Sequence, residues 1–151
     1  MKSLKNYLPI FVLTLVINSC NSNSEYNQEL TSQDINIIKN EIKKYEVIIR
    51  NNELESLESI FTDDIVFVRP NDINIIGIEN LLEIHYSKLS AVPGFWKSAE
   101  EIKGFGNIAY SYGSFGFSEG VQSGKYMEIR IKQFDGSWPI SRLIWNENLP
   151  E

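Results

Sequence analysis

The hydrophobic pattern of this chain changes its period once, near Phe95, and the change restricts the folds that the sequence can adopt. Before that point apolar residues recur at spacings of three and four, as they do on one face of an α-helix. After it, alternating stretches are separated by glycine-containing turns, which is typical of antiparallel strands. Helices gathered in the first half and strands in the second predict an α+β domain and not a parallel α/β sheet.

The first predicted helix follows a capping box formed by Thr31 and Asp34 and carries Tyr45 on its buried stripe. The remaining predicted elements are helices over 53–61 and 78–89, a strand over 65–68, and strands over 96–103, 108–118, 125–133 and 138–146. His85 lies on the apolar stripe of the last helix. The sequence thus predicts three helices packed on a mainly antiparallel sheet.

The first 19 residues have the pattern of a secretory signal. Two lysines precede an apolar stretch over 8–17, which is shorter than the roughly 20 residues of a membrane-spanning helix. The Cys that follows resembles the lipidated residue of a bacterial lipobox, although Asn18 departs from that pattern. The alternative is an ordinary signal with an incidental Cys. We expect Cys20 to be lipidated after removal of residues 1–19.

The chain after the signal divides into a tether and a domain. Residues 20–30 are polar and without periodicity, and residues 31–151 carry the predicted elements. We expect an exported protein anchored to the cell envelope. Ser22, where an Asp would favour the inner membrane, indicates the outer membrane.

Charge and composition exclude several classes of function. The chain carries a net charge of −6, which becomes −8 from Cys20 onward because the signal contains two lysines and no acid. That balance argues against nucleic-acid binding and leaves the lipid as the means of membrane attachment. One Cys and one His exclude Cys-rich zinc and multi-His sites, so no metal and no cofactor are expected. The Gly104-x-Gly106-x-x-Ala109 string precedes an aromatic strand and not a helix, so it does not indicate dinucleotide binding.

Two segments carry a resemblance to a known group of folds. The stretch over 124–138, with its ending at 144–150, and the Gly-x-x-Ala-Tyr-x-x-Gly strand over 106–113 are similar to ketosteroid-isomerase-like proteins without an assigned function. The order of elements resembles the cone-shaped fold of nuclear transport factor 2, ketosteroid isomerase and the SnoaL-like cyclases. The resemblance covers about 32–149 and implies that cone, with a strongly curved sheet.

Comparison with ketosteroid isomerase implies roles for particular residues. Tyr45 falls where that family keeps its oxyanion-hole tyrosine, and Glu128 falls where a protonated acid lies beside it. His85 falls near a supporting tyrosine. The residue before Pro70, where the family has its general base, is Arg69. A guanidinium cannot accept a proton, so isomerase-type proton transfer is not expected.

Strand alternation places a set of side chains towards the predicted cavity. The candidate ligand-binding residues are Tyr45, Phe67, Arg69, His85, Tyr126, Glu128, Arg130, Leu143 and Trp145. Such a lining suits a small amphipathic molecule with an anionic head. Two structural alternatives remain: an ion pair between Arg69 and Glu128 that fills the cavity, and ordinary core positions for Tyr45 and His85.

Two functions of different kinds follow. The first is a lipid-anchored domain that binds an unknown small molecule without catalysis, which the missing base favours. The second is an enzyme of isomerase, hydratase or cyclase type that uses Tyr45, Glu128 and His85. Met127, Ile129 and Ile131 face the other side of their strand, and an apolar outer face predicts a homodimer.

Overall fold

A computed structural model describes residues 28–70, 72–88 and 90–148, with the side chains of 85–88 not included. The elements in chain order are helix α1 (Ser32–Asn51), a 3₁₀ helix (Leu54–Ser59), strands β1 (Phe61–Val68) and β2 (Ile75–Ile76), helix α2 (Ile78–Lys88), and strands β3 (Trp96–Phe105), β4 (Ile108–Gly116), β5 (Gly124–Ile131) and β6 (Ile140–Glu147). The predicted signal over 1–19, Cys20 and the first part of the tether lie outside the described residues.

Helix α1 begins where the capping box predicts. The backbone N–H of Asp34 donates to the Thr31 hydroxyl, and the Asp34 side chain accepts from the Thr31 backbone, which completes the capping box. Asn52 terminates the helix in the left-handed conformation, with φ of 59°. The stripe that includes Ile38, Ile42 and Tyr45 is buried against the sheet.

The six strands form one mixed sheet in the order β2-β1-β6-β5-β4-β3. Only the β1–β6 pairing is parallel among the described strands; the others are antiparallel. A bulge between Ala99 and Glu101 interrupts β3 opposite Gly113. A Cβ at Gly113 would lie 1.9 Å from the Ser98 carbonyl oxygen, so only glycine allows this close approach. The sheet curves around α1 and remains open.

Alternation along β5 divides the sheet into two faces. Tyr126, Glu128 and Arg130 are buried beneath α1, whereas Met127 and Ile129 are exposed on the outer face. The sequence predicted this division from the period of two. The buried side chains that a functional site requires therefore come largely from the inner face of β3–β6.

The fold class is confirmed, with differences in the smaller elements. The predicted helix over 53–61 is a six-residue 3₁₀ helix, and β1 begins at Phe61, earlier than the predicted strand. The pattern correctly predicted that Leu54 and Leu57 are buried. The segment is nevertheless too short for a stable α-helix. The sequence analysis missed β2, which has only two residues.

Candidate functional site

Four charged residues meet inside the cone. We call Glu41, Lys97, Glu128 and Arg130 the buried charge cluster. The Lys97 ammonium forms an ion pair with one oxygen of Glu128. Arg130 lies 2.7 Å from the other oxygen and 2.7 Å from the Glu41 carboxylate of α1. Side-chain exposure is 3% for Lys97 and 0% for Glu128 and Arg130, so the two cations and Glu128 are removed from water.

Neighbouring groups add further hydrogen bonds to this cluster. Ser111, paired with Glu128 across β4 and β5, donates its hydroxyl to the Glu128 carboxylate at 2.7 Å. Arg130 also donates to the Trp138 carbonyl at 2.7 Å, and the Trp138 backbone N–H donates to Glu41 at 2.9 Å. Because Glu41 belongs to α1 and Arg130 to β5, their ion pair joins the helix to the sheet. Buried charges are tolerated only when they are paired and hydrogen-bonded.

The cluster fixes the protonation state of Glu128. Burial by itself would raise the pKa of this carboxyl, but the charges of Arg130 and Lys97 outweigh burial and lower the pKa to about 2. Burial, assisted by Arg130, lowers the pKa of Lys97 to about 8, against the opposing effect of Glu128. Glu128 is therefore ionised at neutral pH and accepts hydrogen bonds without donating any.

An aromatic pocket lies above the Lys97 end of the cluster. Its lining residues are Tyr45, Phe95, Lys97, Phe115, Tyr126, Leu143 and Trp145. The free volume among them is about 10 Å³, which is room for about one water molecule. The ammonium of Lys97 lies 4.0 Å from the ring centre of Tyr126 and 5.0 Å from that of Tyr45, so cation–π attraction supplements its ion pair.

Tyr126 contributes an unsatisfied group to this pocket. Its hydroxyl oxygen is buried and makes no hydrogen bond of normal geometry among the described residues, although the Ser111 side chain is close enough to oppose the rise in its pKa. Burial, with the negative charge of Glu128, raises the pKa of the Tyr126 phenol well above its ordinary range, and the same causes raise that of Tyr45. Both phenols therefore remain protonated.

Aromatic side chains close the mouth of the pocket. Trp145 is stacked on Phe115 with ring centres 5.1 Å apart and meets Phe67 edge-on at 4.9 Å. Phe117, which is 40% exposed, packs against both Phe115 and Trp145. Trp145 is only partly buried and Phe117 is exposed, so these rings lie between the pocket and solvent.

Arg69 lies apart from the pocket. Its guanidinium is 2.9 Å from the Asp72 carboxylate and donates to the Ile73 carbonyl at 3.2 Å. The ion pair with Glu128 that the sequence left open is not formed, because Lys97 and Arg130 take both oxygens of Glu128. Arg69, at the position that the resemblance assigns to the isomerase base, therefore pairs with residues of the loop after β1.

The structure distributes the other candidate residues between two places. Tyr45, Tyr126, Leu143 and Trp145 line the aromatic pocket, and Phe67 supports Trp145. Glu128 and Arg130 belong to the buried charge cluster beneath it. His85 lies on α2, but its side chain is outside the described residues, so its role stays a prediction.

Sequence reasoning missed Lys97, the cation nearest the pocket. Lysine is rarely buried, which argued against an inward position. One signal was nevertheless available: alternation puts Phe95, Lys97 and Ala99 on one face, and both neighbours are apolar. Glu41 carried a similar signal, because Ile37, Ile38 and Tyr45, three or four positions away on the same helix face, are apolar.

Two negative findings concern the described residues. They contain no group of three or more His, Cys, Asp and Glu side chains arranged to hold a metal ion. None of the helices within the described ranges has the length and apolar character to cross a membrane.

Solved structures match this arrangement over most of the described domain. A protein of unknown function from Pectobacterium atrosepticum, of the DUF3225 family, is 18% identical, with a TM-score of 0.66 over 80% of this chain and 95% of that one. An NTF2-like protein of unknown function from Methylobacillus flagellatus is 16% identical, with a TM-score of 0.65 over 80% and 96%. The fold is that of the NTF2-like proteins.

A further solved structure with this fold carries the name of an isomerase-like protein. A ketosteroid isomerase-like protein from Erwinia carotovora atroseptica is 17% identical, with a TM-score of 0.59 over 80% of this chain and all of that one. No protein-family model and no curated protein matches the sequence. At these identities the comparisons establish the NTF2-like fold of the chain and leave its reaction or ligand open.

Proposed function

We propose that this NTF2-like domain binds a small apolar or amphipathic molecule in the aromatic pocket and does not catalyse isomerase-type proton transfer. The observation that carries the proposal is the buried hydroxyl of Tyr126, which makes no hydrogen bond of normal geometry and belongs to a residue that lines the pocket together with Lys97. A buried hydroxyl without a partner costs about 1–3 kcal/mol. A ligand oxygen that accepts from Tyr126 removes that cost, and an anionic oxygen gains from Lys97 as well.

Binding requires the mouth of the pocket to open. The free volume of about 10 Å³ accommodates about one water molecule and no larger ligand. Phe117 is exposed and Trp145 is only partly buried, so their rotation admits a ligand at the smallest cost to the core. The ligand then replaces the ring contacts that Trp145 makes in the closed form.

The state of Glu128 supports binding without catalysis. Its carboxylate is held between Lys97 and Arg130 with a pKa of about 2, so it can neither donate a proton to a developing enolate nor act as an effective base at neutral pH. Arg69 precedes Pro70, and its guanidinium is paired with Asp72. Both acid–base positions of the isomerase resemblance therefore lack a group that can move a proton.

We further propose that Cys20 carries a lipid and holds the domain at the cell envelope, with the outer membrane favoured, and that the domain forms a homodimer through its outer sheet face. The lipid proposal rests on the pattern of residues 1–20. The dimer proposal rests on exposed apolar side chains on adjacent strands, with Tyr112, Met127 and Ile144 in register across β4, β5 and β6.

Native mass spectrometry of the protein purified from its own host tests the binding proposal. The expected result is an added mass of a small organic molecule that is released on unfolding. A parallel titration uses anilinonaphthalene sulfonate, an apolar ring system with an anionic group. Tyr126→Phe keeps the pocket shape but removes its hydroxyl, so we expect this probe to bind about fivefold more weakly, the value of one hydrogen bond of about 1 kcal/mol.

The matched control is Tyr112→Phe, which removes a hydroxyl from the exposed outer face of β4. It should leave probe binding unchanged. An equal loss in both variants would assign the probe to the outer face and contradict binding in the pocket. Absence of a co-purified molecule, together with no effect of Tyr126→Phe, would reject the proposed function.

A further inference from the structure

The apolar side chains most exposed to solvent include three at one end of the sheet. Phe134 is fully exposed at the tip of the β5–β6 turn, and Phe105 and Ile108, which flank the β3–β4 turn, are 58% and 54% exposed. The two turns are neighbours, because the Lys132 backbone N–H donates to the Asn107 carbonyl at 2.9 Å. We call Phe105, Ile108 and Phe134 the apolar tip.

The described chain begins at this same end. The Gly106 backbone N–H donates to the Gln28 carbonyl at 2.8 Å, and Glu29 pairs with Phe105 as an isolated bridge. Residue 28 is therefore fixed against the β3–β4 turn. Seven residues separate it from Cys20, and a span of that length reaches at most ~29 Å even when fully extended.

From these two observations we propose that the apolar tip rests in the interfacial layer of the lipid bilayer to which Cys20 is attached. The proposal depends on the lipid anchor proposed above. A short connection to the bilayer keeps the local concentration of lipid at this end high, so a few exposed apolar side chains suffice for contact. Phenylalanine side chains at an interface remove apolar area from water while the adjoining polar backbone remains hydrated.

The charges at this end limit the depth of the contact. Asp135 follows Phe134, and hydrogen bonds from Ser137 lower the pKa of the Asp135 carboxyl, so it remains charged beside the tip. Lys132, the cation beside the β5–β6 turn, is paired with Asp34 at 2.7 Å, so its charge is already compensated within the domain. The contact is therefore shallow and apolar in origin, and it orients the mouth of the domain relative to the membrane.

The experiment couples the chain from Cys20 onward, which keeps every described residue, to phosphatidylcholine vesicles through a maleimide lipid. Cys20 is the single Cys, so the attachment point is unique. Phe134→Trp places a reporter at the tip, and brominated phosphatidylcholine quenches a tryptophan that enters the interface. Val121→Trp is the matched control, because Val121 is 58% exposed in the β4–β5 turn at the opposite end of the sheet.

We expect brominated lipid to quench the additional fluorescence of Phe134→Trp and to leave that of Val121→Trp unchanged, with no quenching in either variant when Cys20 is capped and untethered. Equal quenching in the two tethered variants would overturn the proposal. So would a blue shift of the Phe134→Trp emission that depends on protein concentration and not on vesicles, since it would assign the tip to contacts between copies. Because the attachment is chemical, these results are independent of whether the host lipidates Cys20.

Discussion

The ammonium of Lys97 lies 4.0 Å from the ring centre of Tyr126 while its charge is paired with Glu128. This arrangement joins the aromatic pocket to the buried charge cluster, so the two cannot change independently. A ligand that reaches Lys97 alters the balance that keeps Glu128 ionised. The relationship also separates this site from an isomerase, where the corresponding acid is neutral and donates a hydrogen bond.

Glu128→Gln should strongly destabilise the domain. The substitution keeps the shape of the side chain but leaves Lys97 and Arg130 buried without their carboxylate. Breaking a buried ion pair in this way costs about 3–5 kcal/mol of unfolding free energy. Urea unfolding followed by circular dichroism measures the change.

Glu101→Gln provides a matched control for that measurement. Glu101 also accepts from a lysine and a hydroxyl, Lys103 at 2.6 Å and Tyr110 at 2.7 Å, but on the solvent-facing side of the sheet. Its substitution should leave the urea midpoint nearly unchanged. A similar decrease in the urea midpoint of both variants would show that the buried cluster stabilises the fold no more than a surface ion pair does.

Acid should unfold the protein partly through Glu128. The pKa of this carboxyl is about 2 in the folded state against 4.5 ordinarily, so the unfolded chain binds more protons between these values. The stabilisation, about 3 kcal/mol from that difference, is present above pH 4.5 and is lost as the pH falls towards 2. Chemical unfolding at a series of pH values measures this loss.

The same series on Glu128→Gln identifies the group responsible. The variant should retain only the smaller acid dependence due to other carboxyls, of which Asp34 also has a lowered pKa of about 2. An unchanged slope between pH 2 and 4.5 would contradict the assignment to Glu128.

Ile144→Lys should convert a dimer into monomers. Ile144 is 50% exposed at the centre of the outer face and lies beside Met127 on the adjacent strand. A lysine there places a charge inside the proposed interface. Sedimentation velocity over a range of concentrations measures the change, and Val121→Lys, in a turn away from this face, should remain dimeric. A wild-type domain that is monomeric at all concentrations would reject the dimer.

Cys20→Ser should release the protein from the membrane fraction of its host. The substitution removes the thiol that would receive the lipid, and the net charge of −8 gives the remaining chain no attraction to anionic lipid surfaces. Metabolic labelling with an alkyne fatty acid and fractionation of the cells measure both consequences. Labelling that persists in Cys20→Ser would contradict the lipid anchor.

The features that could be predicted from the sequence are those with a strong local signal. The capping box at Thr31, the helix over α2 and the alternation along β5 depend on neighbouring residues, and the structure contains them. The parallel pairing of β1 with β6 depends on residues about 80 positions apart and leaves no local pattern. The period of two placed Glu128 and Arg130 correctly but could not identify their partners.

The candidate site was harder to predict for a physical reason. Electrostatic pairing depends on which charges converge in three dimensions, and the sequence offered Arg69 as the most conspicuous cation near Glu128. The cation that pairs with it from β3 is Lys97, whose type is usually exposed. The sequence therefore predicted which residues are buried near the pocket better than it predicted which charged groups pair with one another.

The position of β6 between β1 and β5 has a consequence for the order in which the domain can fold. An incomplete chain that ends before Ile140 leaves β1 with only the two-residue β2 as a neighbour, and Arg130 and Glu41, which form an ion pair, are 89 positions apart in the sequence. Contacts of such long range form late, because the entropy of closing the loop is lost before the contacts compensate for it. The nascent domain therefore cannot join β1 to the rest of its sheet until its last strand has been made.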